Sequence, residues 1–195
     1  NPTCYGLSDG YITINPQGGT APYSYIWDNG STTATANNLP VGTHCVTVTD
    51  DNFCQIDTCI VLIQPTEINI NFVTSDESCY NACDGEIQAV VTGGVPGYNY
   101  NWSNGATAAI DNNLCPGMYL ITVTDNNLCE QISSVAINGP GVLDVVLQSS
   151  VQPHCGNNDG SISVGVIGGT APYSYNWENP PGGNTSSLNN IPSGT

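Results

Sequence analysis

The chain repeats itself at a fixed interval. The stretch GGTAPYSY at residues 18–25 returns letter for letter at 168–175, and an altered copy, GGVPGYNY, lies at 93–100. Gly18, Gly93 and Gly168 stand 75 residues apart, as do Trp27, Trp102 and Trp177, and the pairs Asp9-Gly10, Asp84-Gly85 and Asp159-Gly160. A constant interval along a whole chain means tandem copies of one unit, and 75 residues exceeds the ~20–50 of a solenoid repeat. Each copy is long enough to hold a small core of its own. The boundaries read as residues 1–65, 66–140 and 141–195. NPTCYGLSDG aligns with SDESCYNACDG, so the first copy is expected to lack its opening strand. NNIPSGT aligns with NNLCPGM, so the third stops in mid-domain and only the second is whole. The joints IQPTE and INGPG hold one Pro each and little slack, which favours a semi-rigid rod.

Within a copy the pattern is that of strands. In MYLITVT (118–124), Tyr119, Ile121 and Val123 share one face, and Leu120, Thr122 and Thr124 the other. His44, Val46 and Val48 alternate in the same way with Cys45, Thr47 and Thr49. Period two with β-branched residues is a strand signature. Further strands are expected at 67–73, 85–92, 98–103 and 131–137, separated by Gly, Pro, Asn and Asp turns. Six or seven short strands per copy predict an all-β chain of small immunoglobulin-like antiparallel sandwiches in tandem.

Charge excludes several functions. The chain has no Lys or Arg against 16 Asp and Glu, a net charge of −16, yet only 8% of its residues are charged. An ordinary domain carries roughly 25%. Without cations it cannot neutralise phosphates, so nucleic acids and anionic membrane surfaces are not expected partners. No apolar run suits membrane insertion of this segment, and trypsin-like proteases would find no site.

Nine cysteines point to an oxidising compartment. The repeat serves as an internal alignment. Cys4 and Cys54 match Cys79 and Cys129 at the 75-residue interval, which predicts Cys4–Cys54 and Cys79–Cys129 bridges. Cys155 corresponds to Cys4 with a one-residue shift, and its partner would lie beyond Thr195. Cys83 and Cys115 occur only in the second copy, and Cys45 and Cys59 only in the first, so each pair is expected to bond internally. Disulfide staples suit domains too small for a large core. A zinc site lacks its tetrahedral set, because no paired histidines accompany the short cysteine spacings.

In PYSYIW, Tyr23, Tyr25 and Trp27 alternate with Ser24, Ile26 and Asp28. The second copy sets Tyr98, Tyr100 and Trp102 against Asn99, Asn101 and Ser103. The polar set faces outward, which places Trp27, Trp102 and Trp177, with Tyr25, Tyr100 and Tyr175, in the core. An aromatic platform for sugars is the competing reading. The Gly-Gly pair reads as a turn needing positive φ.

Taken together, GG-x-x-PY-x-Y-x-W-x-x-G, then L-x-x-G-x-x-x-V-x-V-T-D, then a Cys, resembles the SprB-type repeat in all three copies, truncated in the last. The second copy departs where Gly97 intrudes between Pro96 and Tyr98, and the first where His44 replaces the usual aromatic. The resemblance implies very large secreted surface proteins of gliding Bacteroidetes: extracellular adhesins, or their stalks, exported by the type IX secretion system.

No catalytic constellation is visible. The two histidines, His44 and His154, occupy unrelated places, nucleophile and phosphate-loop motifs are absent, and adjacent carboxylates in turns point apart. No cofactor is expected. The one metal candidate is calcium at Asp50, Asp51 and Asp125, beside a plain hairpin reading of the same residues. Asn29, Asn101 and Asn184 fit the N-glycosylation sequon. The expected role is a non-enzymatic adhesive stalk. Its expected partners are surface polysaccharide, other surface proteins or copies of itself, with glycans attached covalently. A self-assembling filament subunit and a carbohydrate-binding module are the alternatives.

Overall fold

Alternating β-branched sequence builds strands throughout the computed structural model, which describes residues 1–178 and 183–193. Among these residues there are strands and no helix. The first copy holds β1 (Gly10–Thr13), β2 (Ser24–Trp27), β3 (Thr35–Leu39), β4 (Gly42–Thr49) and β5 (Gln55–Leu62). The second holds β6 (Asn69–Ser75), β7 (Gly85–Thr92), β8 (Asn99–Trp102), β9 (Ile110–Leu114), β10 (Gly117–Thr124) and β11 (Glu130–Ile137). In the third are β12 (Asp144–Val151), β13 (Gly160–Ile167) and β14 (Ser187–Ile191). The sheets run β1-β3, β2-β4-β5, β6-β7-β9, β8-β10-β11 and β12-β13-β14. In the second copy, first, second and fourth strands share one sheet and third, fifth and sixth the other. That is the division of an immunoglobulin-type sandwich without its fourth strand D.

The chain clusters into two compact units. The first comprises Asn1–Phe72, Ala89–Ala109 and Leu120–Ser134, and the second Val73–Gln88, Ile110–Tyr119 and Val135–Thr195. The first unit contains the whole sandwich of copy one. Its core is Ile12, Ala36 and Leu39 from one sheet against Trp27, Val46, Val48 and Leu62 from the other. In β4 and β5 the register runs unbroken from Gly42 opposite Leu62 to Thr49 opposite Gln55. Trp102, Ile121 and Val123 are buried in the same unit. In the second unit Ile87, Leu114 and Ile137 are buried. There the glycine that opens β7 is needed for close packing, since a Cβ on Gly85 would stand 2.8 Å from Ile137 Cγ2 and 2.9 Å from the Leu114 carbonyl oxygen.

Period-two reading missed one strand per copy, TANNL, IDNNL and SLNNI, because it carries a bulge. Asn38, Asn113 and Asn190 have φ of 56, 59 and 59°. Each falls where the pairing register slips by a residue, at Gly10/Ile12, Gly85/Glu86 and Gly160/Ser161. Asn tolerates the left-handed conformation, and the extra residue breaks the alternation that sequence reading relies on.

Trp27 is 2% exposed while its neighbour Ile26 is 64% exposed. In urea unfolding, Trp27→Ala is therefore expected to cost about 3–5 kcal/mol, and Ile26→Ser to stay within about 0.5 kcal/mol. Equal effects would contradict the inward placement of the tryptophan.

Candidate functional site

The recurring GG-x-x-PY-x-Y-x-W segment closes on itself by the same two hydrogen bonds in every copy. The hydroxyl of Tyr23, Tyr98 and Tyr173 donates to the carbonyl of Gly18, Gly93 and Gly168. The indole N–H of Trp27, Trp102 and Trp177 donates to the carbonyl of Thr33, Ala108 and Thr185, each at 2.9 Å. Trp27 and Trp102 are buried, whereas Trp177, Tyr25, Tyr100 and Tyr175 are half-buried. The aromatics fold the module and leave no open stacking face on its buried tryptophans.

The Gly-Gly turn is also where the chain entering each of the second and third copies is seated. Gly93 and Gly94 have φ of 79 and 60°. The Gly94 N–H donates to the Thr66 carbonyl at 2.9 Å, and the Gly169 N–H to that of Gly141 at 2.8 Å. A Cβ on Gly93 would lie 1.8 Å from the Glu67 carbonyl oxygen, and one on Gly168 1.9 Å from that of Val142. The connector between copies thus lies directly on the turn, and only glycine leaves room for it. Gly18, also at positive φ, has nothing within 4 Å of its Cβ position.

Two aspartates anchor the hairpins beside these turns. Asp125 is buried, and its carboxylate accepts the backbone N–H of Val95 at 2.8 Å, Asn127 at 2.8 Å and Cys129 at 2.9 Å. Asp50 accepts those of Thr20, Asn52 and Cys54. Burial pushes the Asp125 carboxyl up, and the three N–H donors outweigh it, so its pKa lies below 3.8. At Asp50 the Thr20 N–H leads the donors that lower it. The backbone N–H groups of the hairpin and of the neighbouring Gly-Gly loop thus engage both carboxylates. Among the described residues no three His, Cys, Asp or Glu side chains are grouped to hold a metal. Asp51 is exposed in the turn.

The cysteines divide differently from the intervals. Cys45 bonds Cys59, directly opposite it in the β4–β5 register, and Cys83 bonds Cys115. Cys4, however, bonds Cys129, with Cα atoms 5.7 Å apart, and not Cys54. Cys54, Cys79 and Cys155 are free and exposed. The expected Cys4–Cys54 and Cys79–Cys129 bridges are thereby corrected. The physical reason is placement: the segment around Cys4 lies over the connector and the second copy's hairpin. Asn127 Nδ2 donates to the Thr3 carbonyl at 2.9 Å, and the Gly6 N–H to Gln64 Oε1 at 3.0 Å. A groove lined by Cys4, Tyr5, Pro65, Ile68, Leu128 and Cys129 marks this seam.

A third aspartate positions each leading cysteine. The N–H of Thr3, Ser78 and His154, the residue before it, donates to Asp9, Asp84 and Asp159 respectively. The Thr3 and Ser78 hydroxyls donate to the second carboxylate oxygen, and His154 Nδ1 lies 2.7 Å from that of Asp159. The Thr3 hydroxyl foremost lowers the Asp9 pKa, the Ser78 hydroxyl that of Asp84, and the His154 N–H that of Asp159. His44, buried, sets Nε2 3.0 Å from the Pro40 carbonyl. The hydroxyl of Tyr119, 75 residues on, bonds the equivalent Cys115 carbonyl, so the replacement keeps one structural contact. Asn29, Asn101 and Asn184 are exposed, with the Asn29 side chain accepting the Ser31 N–H.

Gly18→Ala is expected to cost about 1–2 kcal/mol from left-handed strain alone. Gly93→Ala must also displace the connector, and should lower Tm clearly further; equal shifts would refute the close approach. Acid provides a second check. A carboxyl with a lowered native pKa stabilises fully above its ordinary 3.8, and that stability is lost as pH falls through the native value. Asp125→Asn should lower Tm at pH 7, and the gap to the parent should narrow below pH 4. A gap constant with pH would contradict the three-donor arrangement.

The model of one repeat family matches the chain three times, at residues 1–32, 71–107 and 147–182, together more than half of it. No curated protein matches. Among solved structures, "Structure of amphioxus IgVJ-C2 molecule" aligns with 69% of this chain and 98% of its own, at 14% identity and a TM-score of 0.34. The three family matches each contain the Gly-Gly turn and the tryptophan whose hydrogen bonds recur above, and the chain belongs to the SprB repeat family.

Proposed function

We propose that this chain is a load-bearing and adhesive segment of a large bacterial surface adhesin or fibre, carried across the outer membrane by type IX secretion and serving gliding motility. The observation that carries this reading is the seam between copies one and two, where a disulfide and a seated connector join successive modules of a surface-protein repeat family. A spacer under tension needs joints that do not open before its modules do. Cross-linking residues 125 apart in sequence supplies that, because the enclosed chain cannot extend until the bond is reduced. Both the repeat family and the immunoglobulin-like fold are structural, non-catalytic module types. The family belongs to cell-surface proteins, and three disulfides suit an oxidising exterior.

Adhesion falls to the outward faces. Here Ile26 and Val61 stand exposed on the face of the sheet that also carries the Cys45–Cys59 bond, amid Thr and Asp. Such uncharged-to-acidic surfaces suit neutral polysaccharide, other surface proteins or further copies of the module.

Pulled by its ends, the oxidised chain should stop short of full extension. Reduction should release about 400 Å more, at roughly 3.3–3.6 Å per residue over the enclosed segment. Full extension without reductant would overturn the spacer reading. For adhesion, beads coated with the chain should be retained on polysaccharide-coated glass above uncoated beads, and equal retention would refute it.

A further inference from the structure

Asn-Gly pairs occur at residues 29–30, 104–105 and 138–139. This is the dipeptide most prone to lose its side-chain amide. The glycine nitrogen attacks the asparagine carboxamide carbon, and with no Cβ on the glycine little stands in its way. In a folded chain the reaction depends on whether that nitrogen and that carboxamide are already held.

In the first two pairs both are held. The Gly30 N–H donates to the Trp27 carbonyl at 3.0 Å, and the Gly105 N–H to that of Trp102 at 2.9 Å. Asn29 Oδ1 accepts the Ser31 N–H at 3.0 Å, and Asn104 Oδ1 the Ala106 N–H at 3.1 Å. Each turn closes on a tryptophan that is 2% exposed, so it cannot open without disturbing a core.

The third pair differs. Asn138 and Gly139 are exposed just beyond β11, and among the described residues the Gly139 N–H meets no hydrogen-bond acceptor. The Asn138 carbonyl accepts the Glu77 N–H at 2.9 Å. That contact favours attack, because the negative charge left when the Gly139 nitrogen loses its proton spreads onto this oxygen. Asn138 also ties the connector to the end of β6. Its N–H donates to Asp76 Oδ1 at 2.9 Å, and its Nδ2 to Oδ1 and Oδ2 at 3.4 and 3.3 Å. Packing keeps the labile pair in place, since a Cβ on Gly139 would collide with Glu77 Oε2 and lie 2.5 Å from Pro116 Cγ. In the connector between copies one and two, Ile63-Gln64 stands 75 residues earlier, and that joint has no such pair.

We propose that Asn138-Gly139 is a self-modification site, at which Asn138 converts to aspartate and isoaspartate and thereby loosens the seat of the chain entering copy three. The Gly139 nitrogen gives its proton to solvent and bonds to Asn138 Cγ. The Cγ–Nδ2 bond breaks, and Nδ2 takes a proton from solvent and leaves as ammonia. Water then opens the succinimide ring. Attack at Cγ gives aspartate, and attack at the main-chain carbonyl carbon gives isoaspartate, whose backbone runs through Cγ. Water is the only co-reactant. Both products set a carboxylate where Nδ2 met Asp76, so an attraction becomes a repulsion between like charges. Isoaspartate also lengthens the backbone just ahead of Gly141, whose carbonyl accepts the Gly169 N–H at 2.8 Å.

The test keeps the full chain folded in mildly alkaline buffer made with heavy-oxygen water, so that each converted asparagine gains a heavy oxygen. Peptides released by cleavage at Asp and Glu, sequenced by mass spectrometry, locate the label. Asn138 should take it up at least several-fold faster than Asn29 or Asn104, and in urea the three rates should converge. Equal rates in the folded chain, a faster rate at Asn29 or Asn104, or a difference that persists in urea would overturn the proposal. The consequence is read from Tm. Asn138→Asp should lower it, and Asp76→Asn added to that variant should recover most of the loss, because donor and acceptor are then exchanged. An unchanged Tm in Asn138→Asp, or a loss that the second substitution does not relieve, would overturn the loosening. Neither measurement depends on an adhesive role.

Discussion

The carboxylate at the end of the V-T-D strand ties the hairpin to the Gly-Gly loop in the first and second copies. Asp125 receives two N–H groups from its own hairpin, at Asn127 and Cys129, and a third from Val95 in the Gly-Gly loop. One side chain therefore fixes the hairpin's conformation, its position against the loop, and the place from which the cysteine projects. A buried carboxylate is tolerable only if its hydrogen-bonding capacity is filled, and here three backbone donors fill it. The loop pays a steric toll for this closeness, since a Cβ on Gly94 would fall 2.7 Å from Asp125 Oδ2.

From that anchor the seam follows. The first glycine of the pair makes room for the connector's carbonyl, and the second for the aspartate. The connector is consequently pinned by backbone contacts that any residue could supply on its own side, which explains how IQPTE and INGPG can differ while meeting the same turn. A different aspartate, in the Asp-Gly pair, holds the residue ahead of each leading cysteine. Both sulfurs of the Cys4–Cys129 bond thus project from turns braced by charged-acceptor hydrogen bonds.

Strand positions were legible because β4, β7, β10 and β11 alternate cleanly, and the buried tryptophans lay on the face that alternation assigns. The strands carrying Asn38, Asn113 and Asn190 were not, because a bulge spends one residue out of step. Their signal was still present in the recurring N-N before an apolar residue, a combination that allows left-handed backbone on a strand. The Asp-Gly pair was seen as a marker of the interval. Its work, binding the residue before a cysteine five or six positions upstream, spans a turn whose shape the letters do not state.

The sequence by itself determined that the chain is a tandem array of small β modules, since interval, alternation and turn chemistry are all local properties. It also separated the private cysteine pairs from the shared ones. It could not choose partners for the shared ones. Within a periodic chain, a bond from Cys4 to Cys54 and a bond from Cys4 to Cys129 are equally consistent with the interval, because the second differs from the first by one whole repeat. Only the tertiary structure decided between them, by laying the start of one copy over the connector and against the next copy's hairpin. Disulfide geometry demands Cα atoms within about 7 Å, and spatial neighbourhood, not sequence spacing, meets that demand.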